Sequence, residues 1–494
     1  MGMEGIGEKM VVGLEESMEE LRETFRLGKT RSASWRKSQM RAILKLLLER
    51  EDEIFKALNQ DLGKHPVESY RDEVGVTIKS VNLALSSIEK WMASKKVEMP
   101  MIAYPTTGEL VPEPLGLVLI FSSWNFPLGL ALEPLIGAIS AGNTVVLKPS
   151  EMAPSCSSFL AKYLPIYLDN KAVKVIEGGP MVGHQLLEHQ WDKIFFTGSA
   201  RVGRLVMAAA SKNLTPVTLE LGGKCPAVVD SLASFEEQKV TVNRIIGGKW
   251  GPCNGQACIA IDYLLVEEKF APDLIDLLRK TIKKFYGENA KESNSISKIV
   301  NRKQFERLSN LLQDPMVEAS IVHGGSLDDD KLSIEPTILL NPPLESEIMT
   351  EEIFGPLLPI ITVNNIQESV DFIKSRHKPL ALYVFTNDET LKRRVIAETS
   401  SGSITFNDAI IQFACDTLPF GGIGLSGFGR YHGKFSFDTF SHEKAIMRRN
   451  FTDFGFRYPP WNDLKLQFIR AVYNLHYLKL ILLLLGFKSG LRRR

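Results

Sequence analysis

The sequence predicts an α/β protein of two interleaved domains, each built on a parallel sheet, with a small bridging hairpin. Three observations predict it. Short apolar runs of four or five residues alternate with stretches of helical periodicity, the βαβ pattern of a sheet buried on both faces. The 494-residue chain is 44% hydrophobic and 24% charged, ordinary for globular material and long enough for two or more domains. No internal repeat or low-complexity linker interrupts the series.

Residues 14 to about 60 are predicted helical, because Trp35, Ile43, Leu46, Leu47, Ile54 and Leu58 recur at helical spacing among charges. From Val97 to Leu117 the pattern turns strand-like around a turn at Pro105–Gly108, an extended hairpin of the kind that bridges subunits. Strand Leu117–Phe121, a helix through Leu128–Ile139, strand Asn143–Leu147, a helix near Ser155–Leu164, and strands Val173–Ile176 and Lys193–Phe196 follow. A second series starts near Pro226–Val229. It places helices near Pro272–Tyr286 and Gln304–Leu312 among strands Tyr263–Val266, Ile360–Val363, Ala381–Phe385 and Ile404–Phe406. The partition expected from this is 1–222 for dinucleotide binding (hairpin at about 95–117), 223–430 for catalysis, 431–456 returning to the bridging region, and a tail 457–494.

Composition excludes several functions. A net charge of +1 gives no general electrostatic reason to bind nucleic acid. Five widely spaced cysteines argue for a reducing compartment rather than a disulfide framework, and no CxxC pair suggests structural zinc. His184 and His189 stand five apart, off the spacing of a helical metal pair, so no metal site is expected. The acidic N-terminal stretch has no apolar h-region, so neither a signal peptide nor an acidic-poor transit peptide is expected. Ile6 stands where myristoylation favours Ser or Thr. The expected location is cytoplasmic.

Phe196-Thr197-Gly198-Ser199-Ala200-Arg201-Val202-Gly203 follows a strand and opens a helix. Glycines admit a ligand close to the backbone, and a helix start favours a pyrophosphate. The spacing is not that of the usual Rossmann fingerprint, and a glycine-capped turn is the alternative reading. Lys148-Pro149-Ser150-Glu151 closes a strand, where a lysine can donate to ribose hydroxyls and Glu151 can accept from them; a surface lysine before a proline turn is the alternative. Glu352 and Phe354, in Glu351-Glu352-Ile353-Phe354-Gly355-Pro356, can hold a ribose and brace a flat ring, or simply form an acidic loop. Cys258, in Gly255-Gln256-Ala257-Cys258, is the candidate nucleophile; Glu220 in Glu220-Leu221-Gly222-Gly223-Lys224 and Asn125 in Trp124-Asn125-Phe126-Pro127 are its candidate partners.

With these blocks in this order, and with Pro419-Phe420-Gly421-Gly422 and Gly427–Gly433 after them, the chain resembles the NAD(P)-dependent aldehyde dehydrogenases of the class 3 branch, plant members in particular, from about residue 14 to 450. The resemblance implies an aldehyde dehydrogenase-like fold and an aldehyde substrate. It implies attack by the Cys258 thiolate, with the Asn125 amide and the Cys258 N–H as oxyanion donors, and Glu220 as the base that hydrolyses the thioester. Lys148 and Glu352 would hold the two riboses, and Gly198–Gly203 would lie near the pyrophosphate. Trp124, Ser150, Phe196, Thr197, Ser199, Val202, Leu221 and Phe354 complete the expected cofactor set. NAD is expected to be preferred and NADP possible, because Glu151 repels a 2′-phosphate while Val202 leaves room. Cys253 lacks the Gly-Gln-x context and is expected to be structural.

The resemblance and the hairpin imply a homodimer. The tail carries Leu464, Phe468, Val472 and Leu475 at helical spacing, then an apolar run Leu480–Phe487 closing on Arg492-Arg493-Arg494. That run is shorter than a bilayer span of about 20 residues. With Tyr473, Tyr477, Lys479 and Lys488 around it, it suits an interfacial helix on an anionic membrane, such as the cytosolic face of the endoplasmic reticulum. A helix docked on the body or on a dimer partner is the alternative.

Overall fold

The computed structural model describes residues 3–484. Helices come first: Met3–Arg26, Ala33–Glu49 and Glu51–Leu62. Ser32 caps the second, its Oγ accepting from the Trp35 N–H at 3.2 Å, which satisfies a donor that the helix start would leave orphaned. Compactness groups the chain up to Trp91 with Pro114–Ser441, and separately groups Met92–Glu113 with the chain from His442 onward.

Both large sheets lie in the first unit. One has six strands in the order Gly427–Phe428, Val217–Leu221, Lys193–Gly198, Leu117–Phe121, Thr144–Lys148, Val173–Val175. Its pairs are parallel except at the Gly427–Phe428 edge. Leu119, Val146, Ile194 and Leu219 join one buried cluster, which is why these strands are continuous apolar runs rather than alternating ones. Register pairs Phe121 with both Phe196 and Lys148, and Thr197 with Glu220, so the carboxyl ends of four strands share one edge. That edge is where open parallel sheets bind ligands.

The second sheet has seven strands, in the order Ile321–His323, Thr337–Leu340, Leu357–Val363, Tyr263–Glu267, Pro226–Val229, Ala381–Phe385, Ser403–Phe406. Its core gathers Val228, Leu265, Leu339, Leu357, Leu382 and Val384. The first two strands escape sequence reading. They are short, and the antiparallel edge strand Ile321–His323 is only half-buried, so it leaves no apolar run.

In the second unit, Lys95–Val97 pairs antiparallel with Thr107–Pro114, and Ser441–Arg448 joins them in a three-stranded sheet. The hairpin turn is not at 105–108 as the sequence suggests. Lys95 faces Leu110 and Val97 faces Gly108, so the connection spans 98–106 and holds a 3₁₀ turn at Met101–Ala103. Proline and glycine mark its end rather than its centre. The tail is also not one helix. Asp463–Tyr473 and Tyr477–Leu484 are separate helices, broken where Leu475 takes φ 55°. Ala471 and Val472 pack on Leu480 and Leu483, and Phe468 joins them. No helix among the described residues is long and apolar enough to cross a membrane. The end of the apolar run, Lys488 and the three arginines lie outside the described residues.

Candidate active site

Cys258 lies in a turn just before strand Tyr263–Glu267 and is partly exposed. The loop leading to it is strained. Cys253, Asn254 and Gly255 take φ of 49°, 53° and 79° in succession, a conformation costing non-glycine residues about 1–3 kcal/mol each. Gly255 is required by a close approach as well, since a Cβ there would sit 2.4 Å from the Gly355 carbonyl oxygen. Gln256 braces the loop: its Nε2 donates to the Cys253 carbonyl at 2.9 Å and the Lys298 carbonyl at 3.0 Å, while its Oε1 accepts from Val300 N–H at 3.1 Å. Beyond the cysteine, Cys225 Sγ donates to the Cys258 carbonyl at 3.3 Å and the Tyr383 hydroxyl to the Ile259 carbonyl at 2.7 Å. The backbone of Cys258 is therefore fixed on both sides.

Burial, with the charges of Glu352 and Glu220, pushes the Cys258 thiol up to about 12; the backbone N–H groups of Cys258 and Ile259 act in the opposite direction. Glu220 closes strand Val217–Leu221 and is buried, and neither carboxyl oxygen has a hydrogen-bond partner. Burial alone holds it well above the usual carboxylate range. Glu352 Oε1 is likewise buried without a partner. Burial and the neighbouring Asp262 carry Glu352 to about 8, against the Gly223 N–H and the Lys224 and Arg307 charges. Its carboxyl is drawn to strand Val217–Leu221 because Gly222 has no side chain: a Cβ there would lie 2.0 Å from Glu352 Oε2. Unpaired buried carboxyls are rare enough to mark a working site. Ionised Glu352 opposes the thiolate, so Glu352→Gln is expected to lower the pH midpoint of Cys258 alkylation by iodoacetamide. The effect should be confined to pH above about 8, where Glu352 carries charge. An unchanged alkylation profile would separate the two groups.

Asn125 is buried ahead of helix Gly129–Ala141. Its turn is held by a pair the sequence did not reveal, Lys64 and Glu73, both fully buried and 2.6 Å apart. Lys64 Nζ donates to the Asn125 carbonyl at 2.8 Å. Glu73 Oε2 accepts from the Leu128 and Gly129 N–H groups at 2.8 and 3.1 Å. Burial pulls the Lys64 ammonium down, but Glu73, Cys253 and Glu68 outweigh it and the net shift is upward. Removing one partner strands a buried charge. Glu73→Ala is therefore expected to cost about 3–5 kcal/mol in a denaturant titration, and a stability within 1 kcal/mol of the native protein, roughly the scale of an exposed pair, would show that Lys64 finds another partner.

The remaining expected residues fall in two groups. At the sheet edge, Phe196, Thr197 and Gly198 end strand Lys193–Gly198, and Thr197 Oγ1 is buried without a partner. Ser199 caps helix Ala200–Ser211, its Oγ accepting from Val202 N–H at 3.4 Å. Gly203 packs within that helix against Leu219 and Leu221. Lys148 Nζ pairs with Glu151 at 3.0 Å and also reaches the Pro149 carbonyl, and Ser150 Oγ accepts from Met152 N–H at 3.3 Å. Nearer the cysteine loop, Trp124 and Phe354 meet edge to face with centroids 5.3 Å apart, and Phe354 takes φ 50°. Cys253 is fully buried, whereas Cys258 is partly exposed; burial pushes both thiols up.

Sequence reading also missed Lys249, fully buried with Nζ unpartnered and pulled down to about 8 by burial against the charge of Asp262. Only its proximity to the cysteine block could have flagged it. Among the described residues no cluster of three or more metal-ligating side chains occurs.

A cysteine on a braced, strained loop, its thiol within reach of the charges of buried Glu352 and Glu220, fits an oxidoreductase of the aldehyde dehydrogenase family. Residues 12–446 match that family, and the chain belongs to it. Aldehyde dehydrogenase family 3 member F1 of Arabidopsis thaliana is 60% identical over 97% of this chain and 100% of its own length. Member H1 from the same plant is 51% identical over 94% of this chain and 96% of its own. A solved structure, the substrate-bound state of Staphylococcus aureus AldH, superposes with a TM-score of 0.89 at 42% identity, covering 93% of this chain and 99% of that one. The protein is an enzyme that oxidises aldehydes with NAD(P).

The residues present fit such a dinucleotide. Orphaned Thr197 Oγ1 and Glu352 Oε1 await hydrogen-bond partners, and the 12-residue helix from Ala200 presents its N-terminus beside Thr197.

Proposed function

We propose that the enzyme oxidises medium- to long-chain aliphatic aldehydes, including lipid-derived ones, to carboxylic acids. The observation that carries the site assignment is the pair of buried carboxyls around Cys258, Glu220 with neither oxygen partnered and Glu352 with Oε1 unpartnered. Cys258 attacks the aldehyde carbon, and the Asn125 amide and the Cys258 N–H receive the oxyanion, each such donor contributing on the order of 10²–10³ in rate. The nicotinamide, when bound, supplies the hydride acceptor that leaves a thioester on Cys258. Glu220 takes a proton from the water that cleaves it. Glu352 and Lys148 would hold the riboses, Lys148 giving up its contact to Glu151, and Gly198–Gly203 would receive the pyrophosphate. The six-stranded part serves the cofactor and the seven-stranded part catalysis, with NAD preferred because Glu151 opposes a 2′-phosphate.

The apolar lining near the cysteine loop, Trp124, Phe126 and Met152 against Cys253, supports an aliphatic substrate. The rival preference is for aromatic or small aldehydes. Turnover of nonanal should exceed that of benzaldehyde at equal concentration, and the reverse order would replace the aliphatic reading.

We assign the tail to a membrane surface on the cytosolic side. Trp461, Leu464, Tyr473, Leu478 and Ile481 are exposed among Lys465, Arg470 and Lys479, which suits an anionic interface. A chain ending at Tyr458 should lose co-sedimentation with phosphatidylserine vesicles; unchanged co-sedimentation refutes the assignment. The edge strand Ser441–Arg448, largely exposed, supports a homodimer, to be read as a mass twice 55.2 kDa in solution.

A further inference from the structure

The chain after helix Glu51–Leu62 is irregular, and its buried positions are rich in ionisable groups. Gly63 ends that helix at φ 68°, Pro66 opens a single helical turn to Ser69, and Tyr70–Val74 winds as a π-helical turn, a distortion that recurs at functional sites. Lys64, Glu68 and Glu73 are all buried. Burying three ionisable side chains within ten positions is costly unless fixed partners hold each one.

Those partners belong to the two loops that carry Asn125 and Cys258. On one side, Lys64 Nζ donates to the Asn125 carbonyl and lies 4.1 Å from the centre of the Phe126 ring, while Glu73 takes the Leu128 and Gly129 N–H groups. On the other side, Glu68 Oε1 accepts from the Cys253 N–H at 2.8 Å, and its Oε2 accepts from the Ser297 hydroxyl at 2.8 Å. Arg71 donates to the Gly251 carbonyl at 3.0 Å. The Gln256 brace ends here too, because Lys298, whose carbonyl it holds, gives its own N–H to the Leu62 carbonyl at 2.9 Å. The Cys253 N–H opens the left-handed turn at Cys253–Gly255, and such a turn persists only where its surroundings over-determine it. Glu68 supplies that restraint.

We propose that Glu68 and Lys64 are positioning residues that set the distance between the two halves of the oxyanion site, the Asn125 amide and the Cys258 N–H. This rests on those two groups receiving the oxyanion at Cys258. They come from separate sheets: Asn125 follows strand Leu117–Phe121 of the six-stranded sheet, and Cys258 precedes strand Tyr263–Glu267 of the seven-stranded one. Both donors must lie about 2.7–3.1 Å from one oxygen atom, and a misplacement near 1 Å costs about 10²-fold in rate. A segment tied to both loops by charge-assisted hydrogen bonds, the stronger kind, holds that tolerance more tightly than the apolar contact of Phe126 with Cys253, which has no direction.

The two residues grip different loops and carry different signatures. Lys64 donates on the Asn125 side, so its effect depends on the Asn125 amide being present. Glu68 holds the cysteine loop through an acceptor oxygen that glutamine also offers. Alkylation of Cys258 forms no oxyanion and so needs neither donor in register.

The test is single-turnover NADH formation from nonanal, with the full-length enzyme in excess and NAD saturating, beside the rate of Cys258 alkylation by iodoacetamide. Glu68→Ala should slow NADH formation about tenfold to a hundredfold and alkylation by less than about threefold, while Glu68→Gln should bring NADH formation back to within about threefold of native. Lys64→Met is made together with Glu73→Gln, so that neither leaves a buried charge unpaired. That pair should slow NADH formation by a similar factor, but by less than about threefold when added to Asn125→Ala, which has already removed the amide that Lys64 positions. A general loss of stability instead lowers the fraction of enzyme that reacts, or slows both reactions alike. Native NADH formation in Glu68→Ala overturns the proposal, as do equal slowing of alkylation, no rescue in Glu68→Gln, or a full Lys64 effect without the Asn125 amide. If Asn125→Ala alone leaves NADH formation unchanged, the oxyanion reading itself fails, an outcome separate from all of these.

Discussion

Cys258→Ala should abolish NAD reduction with nonanal, by at least about 10³–10⁴-fold, because the whole covalent route is lost with the sulfur. Cys253→Ala, five residues away, should keep activity of the native order and lose only packing: Cys253 sits in an apolar cluster with Leu62 and Val300, and no part of it is exposed. The contrast tests the loop geometry as well as the chemistry. Gln256 and the left-handed turn at Cys253–Gly255 fix one cysteine inward and leave the other partly open. Activity surviving in Cys258→Ala, or lost equally in both variants, would undo the assignment.

Glu220→Gln should lower steady-state turnover by about 10²–10⁴-fold, the usual contribution of a general base. Its effect should fall after the first turnover. Acylation of Cys258 does not need the base, so a burst of NADH stoichiometric with active sites should precede a slow phase. Because burial holds the Glu220 carboxyl well above the usual range, the native enzyme carries it protonated in the resting pocket at the pH where a free glutamate would be ionised. Native steady-state turnover should therefore rise with pH as that proton is lost, and the slow phase of the glutamine variant should lack this dependence. Normal steady-state turnover in Glu220→Gln, or loss of the burst itself, would place Glu220 elsewhere in the cycle.

Much of the site was legible because its parts are local. The strand–turn–helix at Lys193–Ser211 and the cysteine block carry their chemistry in adjacent residues, so composition and order within a few positions suffice to find them. The parallel strands were legible for a related reason: burial on both faces leaves unbroken apolar runs such as Leu117–Phe121 and Ala381–Phe385. Ile321–His323, half-buried at an edge, left none.

The sequence by itself determined the fold class and named the candidate nucleophile and the candidate cofactor residues. Only the tertiary structure decided what surrounds them. Glu352 reaches strand Val217–Leu221 through the space left by Gly222, 130 positions earlier. Lys64, in the loop after helix Glu51–Leu62, and Glu73, in the turn Tyr70–Val74, hold the Asn125 turn although periodicity gives neither any distinction. The reason is physical. Periodicity reports which face of an element is buried, whereas a hydrogen bond or a shifted proton depends on which distant group arrives at the same buried point.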